Sequence, residues 1–236
     1  MKTLVLATHA SYHLPARLES NLLLDERLTK NFSDYATKEL VRDVEQKVVC
    51  SFSRAIGDPN RARDAKDVFR TTDFHNNPVW NTPLTKKEQE TLLQTHYDEY
   101  HKEVREKIRE LKPRLIMDVH DTGELLLGTN PQEDVKRPGG FPKLCISDYN
   151  HTTCDEETTK HIAMIFREEL GIEVTINDPY QGGYVTRTYA KEGLQTIQLE
   201  FNRTLYMDEK TQTINKDSMN KIREGFMRAL TRIKKL

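Results

Sequence analysis

Three short apolar runs end on chemically active residues: LVLATH closes on His9, LIMDVH on His120 and TIQLE on Glu200. Continuous apolar, β-branched runs of this length read as buried parallel strands, which require a sheet covered by helices on both faces. Open sheets of that kind bind ligands beyond the carboxyl ends of their strands. If the three ends meet, they bring together two neutral imidazole nitrogens and a carboxylate able to activate water. That is the equipment of metal-assisted hydrolysis.

The rest of the chain supports an α/β reading. Strand-like runs fall at about 2–8, 48–53, 114–119, 143–147, 172–176 and 194–201, alternating with helical stretches as in βα units. A first helix is expected from Ser33, with Tyr35, Leu40, Val41, Val44 and Val48 near one stripe. A longer one follows Thr85, where Thr85 and Glu88 have capping-box spacing and Pro113 supplies the stop. Two more cover roughly 155–170, closed by Gly171, and the stretch from Asn215 to the basic end RIKKL. Residues 54–84, which hold Trp80, form a long functional loop, and 121–142 and 177–193 share its irregular character. The 236 residues are read as a single domain, 1–236.

Composition removes several function classes. A formal charge of −1 gives no reason to expect a nucleic-acid partner. No apolar run approaches the roughly 20 residues of a membrane span, and the chain opens on a strand instead of a charged, then apolar leader, so it reads as cytoplasmic. Cys50, Cys145 and Cys154 form an odd set without CxxC spacing, which suggests reduced structural thiols and neither a disulfide framework nor a zinc knuckle.

Each candidate residue has an ordinary alternative. His9 can cap a strand end through plain hydrogen bonds, and His13 stands close enough to replace it as a ligand. His120 lies in DVHD, where acidic neighbours can orient an imidazole through its second nitrogen. SRAIGDPNR places Arg54, Asp58, Asn60 and Arg61 in a loop after a strand, where two guanidiniums and an amide suit a substrate carboxylate and carbonyl, the ordinary alternative being a solvated loop with internal ion pairs. Gly182 and Gly183, between Tyr180 and Tyr184, mark a sharp turn or a close approach to a ligand. Glu200 sits in an apolar strand, where a buried carboxylate calls for a metal, a water or an arginine.

Taken in order, the strand ending in His9, the DPNR loop, HYDEYH, DVH, NDPYQGGYVTRTYA and LQTIQLEFNRTLYMDE resemble the N-formylglutamate amidohydrolase family, from residue 3 to about residue 209. The C-terminal segments carry the specific signal. The resemblance implies a mixed, mostly parallel sheet sandwiched between helices, zinc-carboxypeptidase-like, and hydrolysis of an amide bond with one zinc ion. It implies His9 and His120 as zinc ligands, Glu200 as the residue that activates water and then protonates the leaving amine, and Arg54 as the group that polarises the scissile carbonyl. Asn60 and Arg61 resemble a pair that grips the substrate's α-carboxylate, with Tyr184 and Arg187 as further substrate contacts. Tyr12 stands where the related aspartoacylase pattern has a glutamate ligand, so Asp34 is the candidate third ligand, with Asp118 behind it. THAS and VHDT also depart from the family's usual segments around the two histidines.

The leading expectation is a zinc-dependent amidohydrolase acting on a small N-acyl amino acid, with N-formyl-L-glutamate, giving formate and glutamate, as the substrate the family implies. Two alternatives stay open. DVHD and SDYNH suggest a metallophosphoesterase, which needs two metals, and the Tyr12 departure allows a binding protein that kept the hydrolase fold.

Overall fold

Residues 1–235 are described in the computed structural model of the chain. The main sheet has six strands: β1 (Thr3–Ala7), β2 (Lys47–Val49), β3 (Leu115–Thr122), β4 (Leu144–Ser147), β5 (Val174–Ile176) and β6 (Gln195–Asn202). Their spatial order is β2-β1-β3-β6-β4-β5. The first four run parallel, β4 is antiparallel to β6, and β5 is parallel to β4. The sheet is therefore mixed but mostly parallel. Every residue of β1 is buried, as its apolar run demands.

Alternation along β3 and β6 divides the interior in two. Met117, Val119, Leu199 and Phe201 face a core built with helices Glu156–Leu170 (α4) and Lys216–Ile233 (α6). Ile116 joins Leu4 and Leu6 against Tyr100 and Val104 of helix Asp98–Leu111 (α3), with Val185 and Tyr189 of helix Tyr184–Ala190 (α5). On that second face the strand ends carry polar residues, Asp118, His120, Gln198 and Glu200. His120 and Glu200 are paired across β3 and β6. The period of two puts both side chains on one face at the sheet's carboxyl edge.

The terminal helices match the sequence reading closely. Gly171 closes α4 with a left-handed φ of 64°, and Asn215 caps α6 by accepting from the Ser218 amide. The helix expected from Ser33 is a correction. Ser33 ends helix Glu26–Phe32 (α1), which starts at an Asp25 cap, and only Thr37–Leu40 turns helically beyond it. Val48 belongs to β2. The break has a local cause: the Asp34 amide donates to the His9 carbonyl (3.0 Å) and the Thr37 hydroxyl donates to the Asp34 carbonyl (2.6 Å). These bonds tie the segment to the end of β1 and hold Asp34 there.

The helix after Thr85 has its capping box, but it is interrupted. Lys86–Leu92 (α2) passes through a π-helical turn at Leu93–Tyr97 before α3 continues to Leu111. One wider turn rotates the following residues around the axis, a common device at functional sites. Here Tyr97 and His101 brace the DPNR loop. The Tyr97 hydroxyl donates to the Arg61 carbonyl (2.7 Å) and His101 Nε2 donates to the Pro59 carbonyl (3.1 Å).

The irregular character expected for 177–193 is corrected by α5. Its VTRTYA sequence has little intrinsic helix preference, but Val185, Thr186 and Tyr189 are buried against the sheet. Asn60 Oδ1 accepts from the Val185 amide (2.9 Å), so a residue far away in sequence caps the helix. A Cβ at Gly183 would lie within 2.3 Å of Asn60, which explains the second glycine as a close approach.

Candidate active site

At the carboxyl edge of β1 and β3, one oxygen and two nitrogens converge. His9 Nδ1 and His120 Nδ1 are 3.1 Å apart, and Asp34 Oδ2 lies 3.2 Å from the first and 2.8 Å from the second. All three residues are buried. The far side of each ring is also fixed. His9 Nε2 donates to Asp58 Oδ1 (2.7 Å) and His120 Nε2 donates to Asp118 Oδ2 (2.7 Å). Each Nε2 donates to a carboxylate, so in the neutral ring that binds metals each Nδ1 lone pair points at the same place as a carboxylate oxygen. Three electron-rich atoms in such contact call for a shared positive charge.

The donor set fits zinc. Tetrahedral zinc with bonds of about 2.0–2.1 Å separates its ligand atoms by about 3.3 Å, and these three are 2.8–3.2 Å apart. Carboxylates behind metal-binding imidazoles are the usual support for such ligands. The local field also favours a cation. Burial works against charge on His120, yet Asp118 and Asp34 hold its pKa well above the ordinary value. Burial likewise opposes ionisation of Asp34, but the adjoining His120 and His9 rings keep its carboxyl well below the usual range.

The other sequence candidates for metal binding lie elsewhere. Tyr12 stacks edge-on against Tyr35, with ring centres 5.6 Å apart, and His13 is exposed. Asp118 sits behind His120 and also accepts from Thr8, so it orients the ring. Among the described residues, His9, Asp34 and His120 form the group able to hold an ion.

A cleft of about 530 Å³ opens over this corner. Glu200 lines it beside His120. Burial pushes its carboxyl up to about 8, against the pull of His120 and with help from Asp34 and Asp121. Gln198, two residues earlier on the same face, donates to Glu200 Oε1 (2.9 Å) and leaves its own Oε1 buried without a partner. Arg54 also lines the cleft, but its Nε and Nη2 are committed to Asp58 Oδ2 (3.1 and 2.5 Å). Asp58 thus joins Arg54 to His9, and the arginine, with histidine bonding, holds its carboxyl well below the usual range despite burial.

Asn60 and Arg61 line the same cleft. Arg61 Nε pairs with Asp67 (2.7 Å) and Nη1 donates to the Asn60 carbonyl (3.0 Å). Tyr184 and Arg187 are not brought to the lining. Tyr184 lies near His101, and Arg187 runs back along α5, donating to the Gly183 carbonyl (3.2 Å) over the ring of Tyr149. The two glycines precede α5 and line the cleft, whereas the Arg187 side chain lies over Tyr149 outside it.

Sequence reasoning missed three supports. For Asp58 the sequence offers only ion pairing within its loop, and not the orientation of His9 that the fold gives it. Gln198 was signalled only by Q-x-E alternation. Arg203, directly after β6, donates to Asp121, to the Ser33 carbonyl (2.5 Å) and to Asp34 Oδ1 (3.4 Å), and so fixes the third ligand candidate from behind.

Solved structures share this fold. A crystal structure of N-formylglutamate amidohydrolase from Ralstonia eutropha superposes with a TM-score of 0.79 at 19% identity, over 99% of this chain and 93% of that one. A gene product of Agrobacterium tumefaciens gives 0.71 at 19% identity, over 99% and 92%. These likenesses establish a shared fold. Curated protein sequences gave no match. The family model of N-formylglutamate amidohydrolases matches residues 1–207, so the chain belongs to that family of hydrolases acting on amide bonds.

Proposed function

We propose that the protein is a zinc-dependent amidohydrolase that cleaves the N-acyl amide of a small N-acyl amino acid, with N-formyl-L-glutamate, giving formate and glutamate, as the preferred substrate. The observation that carries this reading is the convergence of His9 Nδ1, His120 Nδ1 and Asp34 Oδ2 beside Glu200. One zinc ion held by those three residues would supply a Lewis acid and lower the pKa of water.

The protein's own residues do the rest. Glu200, buried and poised near neutrality, takes a proton from the attacking water and returns it to the leaving amine. Gln198 holds the Glu200 carboxyl in place. Arg54 presents the guanidinium end that Asp58 leaves unbonded toward the developing oxyanion, in a corner where burial strengthens the interaction. Asn60 Nδ2 and the remaining Arg61 donors receive the α-carboxylate. A formyl group offers little surface to read, so selectivity comes from the amino-acid half. Three buried free thiols agree with a reducing, cytoplasmic setting, and among the described residues no helix is long and apolar enough to cross a membrane.

Metal analysis of the purified chain, with an amine-release screen over N-formyl and N-acetyl amino acids, tests the reading. One zinc per chain and fastest release from an N-formyl acidic amino acid are expected. Two metals with phosphate-ester turnover would replace it with the phosphoesterase alternative.

A further inference from the structure

Four arginines line the cleft, and three are neutralised by carboxylates within the chain: Arg54 by Asp58, Arg61 by Asp67, and Arg203 by Asp121 and Asp34. Arg137 differs. No carboxylate lies within ion-pair distance of it among the described residues. Its Nη1 donates to the Tyr180 hydroxyl (2.9 Å), and its Nε is buried with no partner. A guanidinium carrying an unmet donor at a water-poor position is costly unless something else arrives to satisfy it.

The residue is also held ready. Its backbone amide donates to the Glu124 carbonyl (2.7 Å) just past the small hairpin of 125–126 with 135–136. Tyr180, which aims the guanidinium, is anchored through its carbonyl by the Ser147 hydroxyl (2.7 Å) at the end of β4, and its ring packs on Phe141. Ordering two long side chains before binding removes an entropic cost from the bound state. The carboxylates that line the cleft, Asp34, Asp121 and Glu200, belong to the catalytic corner or its support, so the field at Arg137 is set for an anion brought by the ligand.

We infer that Arg137, aimed by Tyr180, is a specificity residue that binds a second carboxylate, the one on the substrate's side chain. The inference rests on the amidohydrolase reading above and assigns the residue that reads the second acid of its substrate. Asn60 and Arg61 then hold the α-carboxylate, and the cleft reads the two acids at separate places. Arginine's planar fork suits this task better than a lysine would.

The test compares N-formyl-L-glutamate with N-formyl-L-glutamine, which differ only in that side-chain acid, on the native protein and on Arg137→Gln, Arg137→Lys and Tyr180→Phe. A charge-assisted pair at this position corresponds to a loss of about a hundredfold in kcat/KM for the glutamate substrate in Arg137→Gln, chiefly through KM. The glutamine substrate should change by less than about threefold, and Tyr180→Phe should show a weaker loss, also confined to glutamate. Equal losses on both substrates would overturn the assignment, and the lysine and tyrosine variants decide it if Arg137→Gln does not fold.

Calorimetric binding of glutarate and butyrate separates this inference from the reading beneath it. If neither N-formyl compound is turned over, the amidohydrolase reading fails. Arg137 is then judged by binding alone: a native preference for glutarate that disappears in Arg137→Gln supports the second-carboxylate site. An unchanged preference overturns it.

Discussion

The two walls of the cleft are built differently. On one side His9, Asp34 and His120 stand at or beside strand ends, each backed by a buried partner: Asp58, Arg203 and Asp118 respectively. On the other, Arg137, Tyr180 and Gln181 come from loops, are half-buried or exposed, and leave donor atoms unbonded. The first wall is a closed hydrogen-bond network in which every ring nitrogen has one available role. The second has capacity to spare. On the proposed function, chemistry that needs sub-ångström geometry falls to the rigid sheet edge and recognition to loops that the fold can vary.

The contrast predicts how each wall responds to substitution. His120→Ala should have the largest effect, abolishing stoichiometric zinc and lowering turnover by at least about a thousandfold, since both the ion and the water it activates are lost. The circular dichroism spectrum should stay native-like. Full zinc retention in this variant would break the distinction between the walls.

Glu200→Gln should keep zinc and substrate binding but reduce kcat by about a hundredfold or more, because shape is preserved while basicity is removed. Normal turnover would make Glu200 a structural carboxyl. Asp58→Asn sharpens the comparison one layer further out: zinc affinity should fall by about ten- to a hundredfold, measured by competition with a chelator. An unchanged affinity would show that the corner tolerates loss of its backing.

A stability experiment examines the brace between the DPNR loop and α5. His101 is buried, accepts at Nδ1 from the Tyr189 hydroxyl (2.9 Å), and burial pushes its pKa down to about 4. The unfolded chain, with an ordinary histidine near 6.5, binds more protons between those values, so stability must fall as pH drops through this window. The expected contribution is about 2 kcal/mol less stability at pH 5 than at pH 8. His101→Gln should flatten this part of the profile in urea denaturation. A profile identical to the native one would remove His101 from the account.

The smallest effect is expected at Arg187, which faces Tyr149 and not the cleft. Arg187→Ala should change kcat/KM by less than about twofold, in the range of surface substitutions. A large loss would mean that α5 repositions on binding.

Much of the sheet was legible in the chain. Every expected strand lies within a few residues of an observed one, and the capping box at Thr85, the Gly171 terminator and the Asn215 cap all occur where local chemistry put them. These features depend on neighbours in sequence. The helix expected from Ser33 is broken, and a helix stands within the irregular stretch 177–193, because distant contacts decide both, the His9 carbonyl in one case and Asn60 in the other.

The same division applies to the site. Sequence alone determined that two histidines and a glutamate close buried strands, because strand periodicity fixes which face a residue takes. It also left the DPNR loop open between substrate binding and internal ion pairing, and the fold shows Arg54 paired with Asp58 and Arg61 with Asp67. Only the tertiary structure decided which atom of each histidine faces the cleft, since that depends on Asp58 and Asp118 claiming both Nε2 protons. It likewise decided that Asp34 meets them, that Arg187 does not, and that Arg137 stands without a carboxylate. Charge pairing is a three-dimensional property: a sequence counts the arginines and acids, but only the fold assigns their partners.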